Sequence, residues 1–384
     1  MTRSGTVQPF RLGYRPQLDG MRAFAVLAVM GFHASILGAQ GGYLGVESFF
    51  VLSGFLITVL LTQERARSGR IQLGAFYARR ALRLLPALFL FLSAATAYAV
   101  LRPNTPETEG FGRALAGTIG YVANWVMAFE SDFHTRVLSH TWTLSVEEQF
   151  YLLWPLMLVM LLGRFGPRRA CAVAAAGAAG LTLWRIVLYE RGAALPRVSW
   201  ALDTRAAALL LGAAMGLAAT AGWLVLSRRV ARLATVAGFL WLVVIFLSHR
   251  YGIAAISFYP GRQYVEGILA TDVASALLLA GLLFDRDGPL GWLFATPPAV
   301  WIGKLSYSLY LWHPLVFIAL TPDQTHLPAW FNQVVRVGVT LAFVCLSYYC
   351  VELPFLRRKK RFERRGDISE PAELVDAPVP SGAH

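Results

Sequence analysis

Eleven mostly apolar stretches dominate this chain, near 20–38, 42–62, 84–101, 114–129, 146–163, 170–189, 203–223, 232–248, 266–284, 299–320 and 331–351. Most approach the roughly 20 residues needed to cross the hydrocarbon of a bilayer. Runs of this length satisfy their backbone polar groups in lipid as helices. Short arginine clusters separate them, and only 15% of residues are charged, against about 25% in a soluble domain. An all-α integral membrane protein is the expected fold class. The net charge of +13 sits in these flanking clusters, which suits loops against an anionic leaflet. No basic stripe with interleaved aromatics points to nucleic acid.

Loop charge orients the spans. Arg65, Arg67, Arg70, Arg79, Arg80 and Arg83 mark the second connection as cytoplasmic, so the N-terminus is cytoplasmic too. The clusters at 164–169, 228–232 and 357–365 all fall on that side only if one apolar stretch fails to cross. The 114–129 stretch is short and holds Tyr121 and Asn124. It is expected to be re-entrant or interfacial, leaving about ten transmembrane helices with both termini cytoplasmic. The first apolar run is long for a cleaved signal peptide and is expected to be retained. Cys171, Cys345 and Cys350 show no CxxC spacing and read as small buried hydrophobes, so no metal site is expected.

Ionisable groups inside spans are costly and mark function. The first span carries Arg22 and His33. Eleven residues bring them within about 20° of one helix face and about 16 Å apart along the axis. They cannot touch, but one long ligand can reach both. Arg22 is expected near the cytoplasmic face and His33 past mid-membrane, with Glu47 at a similar depth. Arg80 and Arg83 share a face at i,i+3 spacing. The stretch from His140 to Gln149 opens a span from the outer side with Trp142, Glu147 and Glu148, and 306–313 carries Tyr310, Trp312 and His313. Each has a bland alternative. Arginine at a helix end is commonly a topology anchor, a lone His can bond a neighbouring helix, and tryptophans sit at interfaces.

Six strings together are more specific: Leu18-Asp19-Gly20-Met21-Arg22-Ala23; Arg22-x10-His33; Gly45-Val46-Glu47-Ser48-Phe49-Phe50-Val51-Leu52-Ser53-Gly54; Arg79-Arg80-x-x-Arg83; His140-Thr141-Trp142-x-Leu144-Ser145-Val146-Glu147-Glu148; and Ser306-Tyr307-Ser308-Leu309-Tyr310-Leu311-Trp312-His313. In this order they resemble acyltransferase family 3, the membrane O-acyltransferases typified by bacterial O-antigen acetylases. The resemblance runs from about residue 14 to 355. It implies ten spans, a bacterial inner-membrane location, and transfer of an acyl group from acyl-CoA to a hydroxyl, usually on a sugar. It also implies functional roles for Arg22, His33, Arg80 and Arg83. Three positions depart from the family pattern: Glu47 stands for a usual Asp, Ala207 for a frequent Asp, and Lys304 for a usual Arg.

The domains expected are an N-terminal cytoplasmic tail over 1–14, the acyltransferase-3-type transmembrane domain over 15–355, and a basic, then disordered, cytoplasmic tail over 356–384. No soluble catalytic domain is expected to follow. His33 is expected to act as general base, with Glu147 or Glu148 orienting its ring as the acid does in a triad. Arg22, Arg80 and Arg83 would grip the phosphates of acyl-CoA. That donor is expected to be acetyl-CoA, a co-substrate rather than a tightly bound cofactor. Asp19, Glu47, Ser53, Trp142, Tyr310, Trp312 and His313 are possible pocket residues. Acceptors in view are envelope polysaccharide, a glycolipid, peptidoglycan sugar or a glycosylated metabolite such as a macrolide. The rival reading is a polytopic transporter or flippase of a lipid-linked sugar. Such a protein often shows paired half-repeats, and no counterpart of Arg22-x10-His33 recurs later in this chain.

Overall fold

A computed structural model describes residues 10–36, 39–130, 136–247 and 261–364. The tails expected over 1–14 and 356–384 fall largely outside them. Among the described residues there are helices and no strands, as the apolar runs require. In chain order the helices are α1 (Pro16–His33), α2 (Gly45–Ser68), α3 (Leu73–Leu101), α4 (Phe111–Ile119), α5 (Ala123–Phe129), α6 (Trp142–Arg164), α7 (Gly166–Glu190), α8 (Leu195–Trp200), α9 (Leu202–Thr220), α10 (Arg228–Leu247), α11 (Glu266–Phe284), α12 (Pro289–Phe294), α13 (Pro297–Lys304), α14 (Ser306–Ala319), α15 (Pro322–Thr325), α16 (Ala329–Leu346) and α17 (Leu353–Arg364). A π-helical turn, Ser347–Glu352, joins the last two.

Eight helical segments are long and apolar enough to cross a bilayer, built on α2, α3, α6, α7, α9, α10, α11 and α16. The expected ten would include α1 and α14, which are shorter and more polar and carry His33 and His313. The 114–129 stretch breaks at Tyr121, which adopts a left-handed φ of +53°, into α4 and α5. Neither short helix spans hydrocarbon at 1.5 Å per residue.

Two other boundaries move. Of the arginines expected between the second and third spans, Arg65 and Arg67 lie in the last turn of α2, and Arg79, Arg80 and Arg83 lie inside α3, which starts at Leu73. Their side chains are therefore fixed by helical phase. The first span ends at His33 rather than near residue 38, because the chain reverses at Ser35, with φ +53°. His33 thus lies in the last turn of α1 with its side chain exposed at the protein surface.

Helix association in lipid depends on close van der Waals approach, since lipid is as apolar as leucine. The α2–α9 pair shows how the sequence provides this. A Cβ on Gly54 would fall 1.9 Å from the Leu209 carbonyl oxygen, and one on Gly212 would fall 2.0 Å from that of Val51. Only glycine lets these backbones touch. Polar ties then set rotation. Trp154 Nε1 on α6 donates to Thr58 Oγ1 on α2 at 2.8 Å, Tyr77 on α3 donates to the Leu152 carbonyl of α6 at 2.9 Å, and Tyr307 on α14 donates to the Leu84 carbonyl of α3 at 3.0 Å. Together they hold α2, α3, α6 and α14 around one cleft beside α1.

Candidate active site

The cleft encloses about 650 Å³, part of it open to solvent, and is lined by Arg22, Ser53, Arg80, Arg83, Thr143, Glu147, Tyr151, Tyr307 and Tyr310 among others. Arg22 lies two turns into α1, and one turn before it Asp19 approaches its guanidinium at 3.8 Å. Asp19 also accepts from the Tyr14 hydroxyl at 3.1 Å. On α3 the three arginines divide. Arg79 turns to Glu64 of α2 at 3.5 Å. Arg80 and Arg83, one turn apart, face the cleft, and Arg80 stacks over the Tyr151 ring at 4.0 Å. Such stacking orients a guanidinium over the ring. The lining thus holds three guanidiniums against one carboxylate, Glu147, which accepts a hydrogen bond from Ser53 at 2.8 Å. An excess of positive charge in a low-dielectric wall favours an anionic ligand.

At one edge of the cleft stands Tyr310. The Thr143 hydroxyl donates to the Tyr310 oxygen at 2.7 Å, and the Tyr310 hydroxyl donates to the His140 carbonyl at 2.8 Å. Behind it are three histidines. The centroid of His313 lies 5.9 Å from Tyr310, 6.2 Å from His140 and 4.9 Å from His33. His33 is exposed and His313 fully buried. His313 Nε2 is 3.2 Å from His33 Nδ1. A cationic cleft and an exposed imidazole thus lie on either side of a thin wall, both reached from α1.

The expectation that Glu147 or Glu148 orients His33 is corrected. The His33 ring meets the Val29 carbonyl at 3.0 Å and His313. Glu147 lies five residues into α6, some 7 Å below its Trp142 end, whereas His33 is at the very end of α1 and level with His140 near the start of α6. Glu148 is half-buried beside Glu147, under the influence of Arg80.

Glu47 is also corrected. It is fully buried, does not line the cleft, and forms an ion pair with Arg205 of α9. Helical phase points it at α9 and α11 rather than at α1. Trp142 stacks under that same Arg205 guanidinium, 4.8 Å from its ring centroid. Trp312 stacks on Phe343 with centroids 5.0 Å apart. Neither tryptophan lines the cleft, nor do Asp19 and His313, whereas Ser53 and Tyr310 do. No group of three or more His, Cys, Asp or Glu among the described residues is placed to hold a metal ion.

Several participants escaped the sequence reading. Tyr151, Tyr307 and Thr143 line the cleft. Arg185 and Asp272 join Glu47 and Arg205 in a second buried charge cluster. All four lie in or at the ends of predicted spans, so the rule that drew attention to Arg22 applied to Arg185 and Asp272 as well. Glu352 accepts from Ser308 in the π-helical turn and also meets Ser347 at 3.3 Å. π-helical turns often accompany functional sites.

Comparison with known proteins agrees with this architecture. A family described as an acyltransferase domain matches residues 15–352. The chain is 33% identical to the putative peptidoglycan O-acetyltransferase YrhL of Bacillus subtilis, over 92% of this chain and 56% of that protein. It is 31% identical to the peptidoglycan O-acetyltransferase OatA of Listeria monocytogenes, over 91% of this chain and 56% of that one. It is 32% identical to the O-acetyltransferase OatA of Staphylococcus aureus strain NCTC 8325, over 96% of this chain and 62% of that one. The chain thus spans somewhat over half the length of these curated relatives. No solved structure matches it. With the family match extending from the start of α1 to the end of the π-helical turn, this multi-pass membrane protein belongs to the acyltransferase-3 family.

Proposed function

We propose that this protein is a membrane O-acyltransferase that carries an acetyl group from a cytoplasmic acyl-CoA to a carbohydrate hydroxyl on the outer side of the membrane. The observation that carries the reading is the union of two features along α1. Arg22, Arg80 and Arg83 converge on one cleft, and eleven residues further on α1 ends in an exposed imidazole. That rise is about 16 Å, which suits a donor with phosphates at one end and a thioester on a long arm. In this reading α1 and α14 cross the bilayer with the eight long helices, giving ten spans with both termini cytoplasmic in the bacterial inner membrane. The acyltransferase domain occupies 15–355, flanked by cytoplasmic segments.

The guanidiniums bind the donor phosphates through charge-assisted hydrogen bonds. His33 Nε2 takes the proton of the acceptor hydroxyl as its oxygen attacks the thioester carbonyl. The carbon–sulfur bond breaks, and the CoA thiolate recovers that proton from the imidazolium. Tyr310, between cleft and histidines, is held by Thr143 and the His140 carbonyl and shapes the passage between the donor cleft and His33. The acceptor is a sugar hydroxyl of the envelope, with peptidoglycan favoured by its place in the names of two relatives, YrhL and the Listeria OatA. A transporter would not need an imidazole beside an arginine-lined cleft.

The test is transfer of radiolabelled acetyl from acetyl-CoA by purified protein in vesicles, offered peptidoglycan fragments and other glycosides. His33→Ala should lower transfer by about 10²–10⁴-fold, the range for loss of a general base, with insertion and thermal unfolding unchanged. Full transfer by a folded His33→Ala protein would refute the assignment of the base. An inert donor in the wild type would refute acyl-CoA dependence.

A further inference from the structure

The two histidines at the end of α1 and in the middle of α14 define each other's protons. His313 Nδ1 lies 2.7 Å from the Leu309 carbonyl oxygen, which can only accept, so Nδ1 carries the hydrogen. In a neutral imidazole the other nitrogen then presents a lone pair. That nitrogen, Nε2, faces His33 Nδ1 at 3.2 Å. His33 Nδ1 must therefore be the donor, and its second neighbour agrees, since the Val29 carbonyl at 3.0 Å is also purely an acceptor. Two independent contacts thus leave the lone pair of His33 on Nε2, which has no partner among the described residues.

We infer that His313 is the positioning residue of the acyl-transfer base: it accepts from His33 Nδ1 and holds His33 Nε2, unprotonated, towards the acceptor hydroxyl. The inference rests on the reading of His33 as general base. It replaces the carboxylate of a Ser-His-Asp arrangement with a second, neutral imidazole.

Burial explains why the anchor is needed. His33 is exposed in the last turn of a helix whose chain reverses two residues later, and besides His313 its ring meets the edge-on Phe32 ring at 5.1 Å. Its other contact is the carbonyl that also receives the helical N–H four residues on, so that acceptor is shared. His313 is fully buried, tied to its own helix through Nδ1, and packed edge-on against Phe317 with centroids 5.8 Å apart. A rigid ring thus orients a loose one. When His33 becomes the imidazolium, its Nδ1–H still has the same acceptor, so both protonation states keep one geometry. Pro314, next in α14, supplies no N–H and so leaves the Tyr310 carbonyl without its helical donor.

A packing role and a positioning role predict different kinetics. In reconstituted vesicles, with rates expressed per mole of folded protein, His313→Leu should lower kcat by about 10²-fold or more, as loss of an orienting partner does in other histidine bases. The KM for acetyl-CoA should stay within about twofold, because the arginine cleft is separate. His313→Gln can place Oε1 near the Nε2 position and accept from His33 Nδ1, so it should recover at least about tenfold of the loss. If the Leu protein does not insert, His313→Met supplies the apolar comparison. A kcat for the apolar variant within about threefold of wild type overturns the inference. So does equal impairment of the Gln and apolar variants, which would make His313 a packing residue. His33→Ala in parallel separates this outcome from the parent reading: an inactive His33→Ala beside an active His313→Leu removes only the partner. An active His33→Ala removes both.

Discussion

Two groups of buried charge lie within the helical bundle, and they are built in opposite ways. Around the cleft, Arg22, Arg80 and Arg83 outnumber Glu147, and the space between them is open. On the other side of α2, Glu47 and Asp272 meet Arg185 and Arg205 with no more than 3% of any residue exposed. There Arg205 pairs with Glu47 and stacks on Trp142, while Arg185 donates to the Thr204 carbonyl at 3.0 Å. The second group is balanced, two acids against two bases, and ties α2, α7, α9 and α11 together. The first is unbalanced and open, which suits an anion arriving from outside. Charge inside a membrane protein is therefore not one kind of signal. A group whose partners are all internal sets helix registry, whereas one with basic side chains in excess around open space suits an anionic ligand.

The largest effect that would break this contrast is in the closed group. Arg205→Ala leaves Glu47 buried without its cation, and should cost about 3–5 kcal/mol of stability. Thermal unfolding and yield in membranes measure this, with donor affinity in the surviving protein unchanged. The double change Arg205→Met with Glu47→Gln should restore much of that loss, because removing both charges removes the uncompensated one. If Arg205→Ala instead weakens donor binding with full stability, the two groups are one site.

Arg80→Ala together with Arg83→Ala should act in reverse. Each charge-assisted hydrogen bond lost is worth about 1.5–3 kcal/mol, so the donor KM should rise by at least about tenfold with little change in unfolding temperature. Arg79→Ala is the control, since that guanidinium turns to Glu64 rather than to the cleft. Its effect on KM should be under about threefold. The smallest effect sharpens the charge argument. Glu147→Gln keeps an acceptor for Ser53 but removes the one negative charge of the lining. The donor KM should fall by a few-fold, an order set by pairwise Coulomb terms near a wet surface. A rise would give Glu147 a direct part in the chemistry.

Much of this could be read from the chain. The apolar runs and the weakness of the 114–129 stretch follow from local sequence. Helical phase placed Arg22 and His33 on one face and paired Arg80 with Arg83. What could not be read lies between helices. Glu147 and Glu148 looked like partners for His33 because all three belong to motifs at the outer side. The structure sets Glu147 on Ser53, 94 residues away, and gives His33 to His313, 280 residues away. Glu47 was assigned to the pocket by depth alone, whereas its azimuth on α2 aims it at Arg205. Span ends moved for a similar reason: hydropathy registers the lipid-facing run, but α3 continues well before it, where the arginines sit.

The sequence alone determined the helical, membrane-spanning character of this protein, the residue types available for an acyl transfer, and their spacing along single helices. Backbone hydrogen bonding in lipid and the 3.6-residue repeat are properties of the local chain. The tertiary structure alone decided which charges cancel and which remain for a ligand, and which nitrogen of His33 keeps its lone pair. Those outcomes depend on the rotation and offset of helices packed at glycine contacts such as Gly54 and Gly212, where fractions of a turn exchange one partner for another.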